Sequence, residues 1–136
     1  MTSDLRWVLL YTKPHAEAWA EINLRKQGFS TLLPRVRARG GIAPLFPRYL
    51  FAAHAEDRVA SAMQHTLGVL YVVRCGEHAA RVPGDVIADI CSRMDAAGIV
   101  RLDLEPALDP LFAAQQRDRI RALQKFAEAG FRVRAA

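Results

Sequence analysis

Trp7-Val-Leu-Leu-Tyr11 is a short unbroken apolar run with Pro14 close behind it, the pattern of a buried first strand that leads into a helix start. From His15 to Gln27, the residues Ala16, Trp19, Ala20, Asn23, Leu24 and Gln27 recur at helical spacing on one face, and Gly28 is placed to stop the helix. Asn23 and Gln27 are the polar members of that face, which suits a helix edge where both side chains reach water. Strand character resumes from Phe29 to Val36 with an interruption at Pro34, and Arg39-Gly-Gly41 marks a turn before Pro44, so a hairpin-like excursion is predicted. Leu45 to Phe51 is the densest aromatic segment, and Pro47 moves the start of regular strand pairing to about Arg48.

Asp57 to His65 is helix-compatible through Val59, Ala62 and Met63, with Asp57 as its cap. Leu70 to Arg74 is another apolar strand ended by Gly76. Arg81-Val-Pro-Gly-Asp85 opens a third helix with Val86, Ile87, Ile90, Cys91 and Met94 along one side and Gly98 as its end. This order predicts an α+β domain over residues 1–100, with helices covering one face of a mostly antiparallel sheet. Residues 101–136 read as a linker and basic tail: Leu102 to Leu111 holds two prolines and three acids, while the spacing from Phe112 to Phe126 permits a helix.

Composition narrows the class. With 136 residues, 51% apolar and 24% charged, one soluble domain with a sizeable core is expected. The longest apolar stretches, Trp7 to Tyr11 and Leu67 to Val73, fall far short of the roughly 20 residues a membrane helix needs, so no membrane is expected. The opening MTSDLRW has no secretory-signal pattern, which makes the cytoplasm the expected compartment. Cys75 and Cys91 are too far apart for a metal-type pair and are expected to be reduced, buried small hydrophobes; His15, His54, His65 and His78 share no metal-ligand spacing. No cofactor or metal is called for. Ser30, Ser61 and Ser92 lie in no nucleophile motif, and no phosphate loop, zinc-protease motif or dinucleotide fingerprint occurs, so a catalytic role is not expected.

Charge is uneven. The formal net charge is +5, and Gln115 to Ala136 carries six basic residues against two acids, a net +4. Arg35, Arg37, Arg39 and Arg48 cluster around the central loop, and a basic surface of this kind draws polyanions. The aromatic residues Tyr11, Phe46, Tyr49 and Phe51 sit beside prolines and arginines, the composition of an interface anchor as well as of a core. Alternation puts Tyr49 and Phe51 on one side of a strand and Leu50 on the other; if Leu50 packs under the helices, the aromatic pair is exposed.

Six segments, in order and spacing, resemble the N-terminal domain of NusG-like transcription factors: Trp7 to Pro14, Glu17 to Phe29, Leu33-Pro34, Pro44-Leu-Phe-Pro-Arg-Tyr-Leu-Phe51, Thr66-Leu-Gly-Val69 and Val82-Pro83. The resemblance covers about residues 5–95 and implies that family's fold, an antiparallel sheet flanked by helices. It implies a transcription elongation or antitermination module of the NusG and RfaH type that binds the clamp helices of the largest RNA polymerase subunit and reduces pausing. The docking patch implied by motif is Tyr11, Phe46, Pro47, Tyr49 and Phe51. RfaH-type members also read the non-template DNA strand, which by motif implies Lys13, Asn23, Gln27, Thr66 and Arg74. In the family a KOW barrel follows and recruits ribosomal protein S10 or Rho; residues 101–136 are too few for it and resemble a truncated or degenerate remnant, so neither partner is expected. In the RfaH branch the corresponding segment can be helical and cover the docking patch. Two other readings stay open: a nucleic-acid-binding regulator acting through the basic surface without polymerase docking, and a domain whose aromatic patch pairs with itself.

Overall fold

β1 (Arg6–Thr12) is the middle of the sheet because its residues are apolar on both sides, and only a strand covered on both faces reads that way. In the computed structural model, which describes residues 5–55, 60–103 and 107–131, β1 is followed by α1 (Glu17–Lys26), β2 (Ser30–Leu32), β3 (Arg35–Ala38), β4 (Gly41–Pro44) and β5 (Tyr49–His54). Then come α2 (Ala60–Gln64), β6 (Val69–Val72), β7 (Arg74–Cys75), β8 (His78–Ala79), β9 (Arg81–Val82) and α3 (Gly84–Ser92). A 3-10 turn (Pro110–Phe112) and α4 (Gln116–Glu128) complete the described elements. The main sheet runs β2-β5-β1-β6, with β9 also on β1, and every pairing in it is antiparallel. The hairpins β3-β4 and β7-β8 form two small ribbons beside it.

The predicted alternation on β5 is present, and its consequence differs from the expected one. Leu50 and Ala52 share a cluster with Val8 and Leu10 of β1, Ala20 and Leu24 of α1 and Met63 of α2. Phe51 faces the other way, into a cluster with Leu9, Val86, Ile87 and Ile90 of α3, Leu111 and Phe112 of the 3-10 turn, and Leu123, Phe126 and Ala127 of α4. Helices therefore cover both faces of the sheet, not one. The second cover includes residues from beyond position 100, so the hydrophobic core is continuous between the first hundred residues and the segment 111–131.

Element boundaries differ from the sequence reading in ways that local chemistry explains. The Phe29 to Val36 run splits at Leu33-Pro34 into β2, which joins the main sheet, and β3, which leaves it. α3 stops at Ser92, short of Gly98, because Met94 turns back to bridge Val100 and the Asp95 Oδ1 accepts from the backbone N–H groups of Ala97 and Ile99 at 2.9 and 3.0 Å. Trp19 is half exposed although it falls near the apolar face of α1. Cys75 is half-buried and Cys91 exposed, so neither thiol is the buried hydrophobe expected; both are free. Asp57, the expected cap of α2, lies outside the described residues. Among the described residues no helix is long and apolar enough to cross a membrane.

The path from α3 to α4 is held by one charged clip. Arg93 Nη1 donates to Asp103 Oδ1 at 2.7 Å and to the Arg101 carbonyl at 3.3 Å, while its guanidinium lies 3.8 Å from the centre of the Phe112 ring. Asp103 Oδ2 accepts from the Asp109 N–H at 3.0 Å, and Asp109 in turn accepts from the Leu111 N–H to cap the 3-10 turn. The Arg93 hydrogen bond, followed by that from the Asp109 backbone, holds the Asp103 carboxyl below its ordinary range. A lowered folded value means that the contribution of Asp103 is present above the unfolded value of about 3.9 and is lost as the pH falls through the folded one. Asp103→Asn is therefore expected to lower the melting temperature at neutral pH, with the difference from the unaltered chain closing in strong acid. Thermal unfolding across a pH series checks this, and a difference that stays constant into acid would exclude it.

Candidate functional site

Tyr11, Pro47 and Tyr49 surround a turn that the sequence makes in an unusual way. The Tyr49 N–H donates to the Phe46 carbonyl at 2.9 Å, with Pro47 and Arg48 at the corner. Arg48 has φ +74°, a conformation that a corner of this kind normally gives to glycine, and here it is held by side-chain and backbone bonds instead. Its N–H donates to the buried Glu17 carboxylate at 2.8 Å, its carbonyl accepts from Thr12 at 2.8 Å, and its Nε donates to the Thr12 carbonyl at 3.1 Å. The guanidinium rests 4.3 Å from the centre of the Tyr11 ring. Tyr11 lies between Tyr49 and Tyr71, with ring centres 5.1 Å apart in each pair, because β1 pairs Tyr11 opposite Tyr49 of β5 and opposite Tyr71 of β6. Burial pushes the Tyr49 phenol up from its ordinary value. Tyr71 is 47% exposed and was not singled out from the sequence; its place across from Tyr11 is set by strand pairing, which no local pattern reveals.

Phe46 and Phe51 are the other aromatic members, and they are closed off. At 2% and 1% exposed they lie in the core, ring centres 6.2 Å apart, in the same cluster as Leu123, Phe126 and Ala127 of α4. The expected exposure of the Tyr49 and Phe51 side is thus corrected: Leu50 does pack under α1 and α2, yet the opposite side is covered as well. Of the five expected docking residues, Tyr11, Pro47 and Tyr49 reach the surface, and the two phenylalanines do not.

α4 is fastened across this face at three points. Arg119, only 3% exposed, donates from Nε to the Leu45 carbonyl at 3.1 Å and from Nη1 to the carbonyls of Ala113 and Ala114, both at 2.9 Å. Burial pulls its guanidinium down from its ordinary range, and its described partners are carbonyl groups. Gln124 Nε2 donates to Tyr49 Oη at 3.2 Å, and the Cys75 thiol lies 3.6 Å from the Glu128 carbonyl. The sequence puts Arg119 in a basic tail, whereas in the structure it is an interior tie between α4 and the residue before Phe46.

The residues expected to meet DNA separate into two groups. Gln27 Nε2 donates to Thr66 Oγ1 at 2.7 Å, Thr66 donates to the Ala62 carbonyl at 2.9 Å, and Asn23 Nδ2 reaches the Trp19 and Leu67 carbonyls at 3.0 and 3.4 Å. Thr66 is 5% exposed. These three bind α1 to the turn before β6, where a Cβ on Gly68 would stand 3.0 Å from that of Ala20. Lys13 and Arg74 are exposed, and Arg74 holds the Glu77 carbonyl across the β7-β8 turn at 3.0 Å.

The model of one protein family, described as transcription termination factor nusG, matches residues 5–91. The chain belongs to the NusG family. The matched span contains β1 to α3, the tyrosine cluster and the Phe46–Tyr49 turn. The family's description is that of a transcription termination factor, and the chain carries the portion of it matched over residues 5–91. A solved structure concerned with domain interaction in Thermotoga maritima NusG is similar over 62% of this chain, with 17% identity and a TM-score of 0.49. The chain spans about half of that protein, 54% of its length. No curated relative matches.

Because Arg119 donates to the Leu45 and Ala113 carbonyls in buried hydrogen bonds, Arg119→Met is expected to destabilise the fold by about 2 kcal/mol through loss of those bonds, even though it removes a buried charge. Chemical denaturation of the two proteins measures this; equal or higher stability of the variant would show that the tie is neutral.

Proposed function

We propose that this NusG-family chain docks on the clamp helices of the largest RNA polymerase subunit through the aromatic side of β1 and β5, and that it reduces pausing during elongation. The observation that supports this reading is continuity: the open cluster Tyr11, Tyr49 and Tyr71, with Arg48 on Tyr11, leads through the Phe46–Tyr49 turn into the two phenylalanines under α4. Aromatic rings with an adjacent arginine are the residues that carry most interface energy. In this reading α4 and the polymerase compete for Phe46 and Phe51, as the covering C-terminal segment of the RfaH branch implies. The tyrosines serve the first encounter, and displacement of α4 opens the rest of the patch.

The non-template strand enters this reading only through Lys13 and Arg74. The amide nitrogens of Asn23 and Gln27 and the hydroxyl of Thr66 are engaged within the fold, and phosphate contact suits the two exposed cations.

The test is binding of the full chain to core RNA polymerase, with a separate clamp-helix fragment as competitor, alongside a Leu123→Asp, Phe126→Asp variant that undocks α4 and a Tyr11→Ala, Tyr49→Ala variant. Undocking is expected to strengthen binding by about tenfold or more, which corresponds to about 1.4 kcal/mol. The tyrosine variant is expected to weaken it, and the fragment to compete with every form. Absence of binding by the undocked variant, with its fold verified by circular dichroism, would sink the proposal.

A further inference from the structure

The β3-β4 ribbon stands apart from the aromatic face and carries chemistry that docking there does not use. Its inward side is Val36, which is buried, opposite Ala43. Its outward side is Arg35, opposite Pro44, and Arg37, opposite the exposed Ile42, with Arg39 following in the turn. The root is rigid: the Arg35 N–H donates to the Gly98 carbonyl at 3.0 Å, its carbonyl accepts from Val100 at 2.7 Å, and Leu45 donates to the Pro34 carbonyl at 2.8 Å. The tip projects into open space, since a Cβ built on Gly40 or Gly41 would meet nothing within 4 Å.

The side chains of Arg35, Arg37 and Arg39 make no hydrogen bond or ion pair among the described residues, and neither does that of Arg101. Arg101 and Arg37 flank a cleft of about 490 Å³ at the root of the ribbon. Asp95, which also lines the cleft, spends one carboxylate oxygen on the N–H groups of Ala97 and Ile99, and Arg93 is already paired with Asp103. Solvated arginines on an ordinary surface are interspersed with acids. Here the two-residue strand repeat, a rise of roughly 6.7 Å, puts Arg35 and Arg37 on one side, Arg39 follows in the turn, and the ribbon holds no acid.

We propose that the β3-β4 ribbon is a phosphate-backbone binding site, in which Arg35, Arg37 and Arg39, with Arg101 across the cleft, hold successive phosphates of a nucleic-acid strand. Planar, permanently charged forks at successive exposed positions suit the repeated charge of such a strand, and Ile42 supplies apolar contact to a sugar or base edge. The site needs no polymerase, so its test is independent of the docking proposal.

The experiment is fluorescence anisotropy of the full chain with labelled duplex DNA, single-stranded DNA and single-stranded RNA over a salt series, with polyglutamate as an unlabelled competitor. Loss of one phosphate contact lowers the slope of log affinity against log salt by about 0.9 on a duplex and about 0.7 on a single strand, so an Arg35→Gln, Arg37→Gln, Arg39→Gln variant is expected to lose about 2.7 on a duplex. The probe bound most tightly at moderate salt identifies the strand form. A charge-matched control, Arg117→Gln, Arg121→Gln, Lys125→Gln on the exposed side of α4, is expected to keep most of the slope. All six side chains are exposed, so both variants are expected to melt with the unaltered chain. An unchanged slope in the ribbon variant, an equal loss in the control, or displacement of nucleic acid by polyglutamate at equal charge concentration would each overturn the proposal, the last in favour of an acidic protein partner.

Discussion

A sheet that is apolar on both faces has to be covered twice, and the rest of this structure follows from that. Val8 and Leu10 of β1 point to one side and Leu9 to the other; β5 repeats the arrangement with Leu50 and Ala52 against Phe51. α1 and α2 cover the first side. On the second side α3 residues share one cluster with Val82, Leu32, Phe46 and Phe51 and with residues of α4. Each large side chain that α4 buries there, Leu123 and Phe126 foremost, is worth roughly 1.5 to 3 kcal/mol. Without that cover the sheet would present two phenylalanines to water beside three partly open tyrosines, an apolar surface of the kind that marks interaction sites.

The turn from Phe46 to Tyr49 connects this cover to the open surface. A non-glycine residue at positive φ costs of order 1 kcal/mol, and a structure keeps one only where its surroundings over-determine it. Arg48 is over-determined by Glu17 and Thr12 and by its stacking on Tyr11. Glycine at this corner would relax the backbone and lose both the bond from Nε to Thr12 and the cation over the ring. The strain thus fixes Tyr11 and Tyr49 on one side of the turn relative to Phe46 on the other, and the carbonyl of Leu45, immediately before it, is the acceptor for Arg119. One short segment therefore positions the exposed rings, the covered rings and the anchor of the covering helix.

Much of the architecture was legible in the residues. The apolar run at Trp7, the helical spacing that ends at Gly28, the Gly40-Gly41 hairpin and the helix opened after Pro83 all correspond to elements, because each rests on local periodicity and turn chemistry. What escaped depended on distant partners. Met94 had the spacing of the third helix, but its bridge to Val100 ended that helix early. Thr66 and Gln27 are a polar pair 39 positions apart whose hydrogen bond no spacing rule anticipates. Arg119 looked like one more cation in a basic tail, and only three converging carbonyls reveal it as an interior residue. Alternation puts Phe51 opposite Leu50 on its strand, as observed, but its burial depends on whether a distant segment covers that side.

The cover over Phe51 governs how the proposed docking would operate. A helix that covers a binding patch lowers apparent affinity by the fraction of time the patch is open, and a ligand opens it only through its own preference for the open form. Here the cover is incomplete in a directed way: α4 contacts Tyr49 through Gln124 but leaves Tyr71 half exposed, so a partner can engage the tyrosines before α4 leaves. The energy gained at those rings then offsets part of the cost of exposing the underside of α4, while Arg119, removed from a site that offers it carbonyls and no described carboxylate, regains full hydration on release. Desolvation of the arginine is thus a term that favours opening, set against its own hydrogen bonds and the apolar contacts of α4, which favour closure. In the proposed mechanism the balance between them, more than the strength of any one contact, decides how readily α4 gives way to a partner.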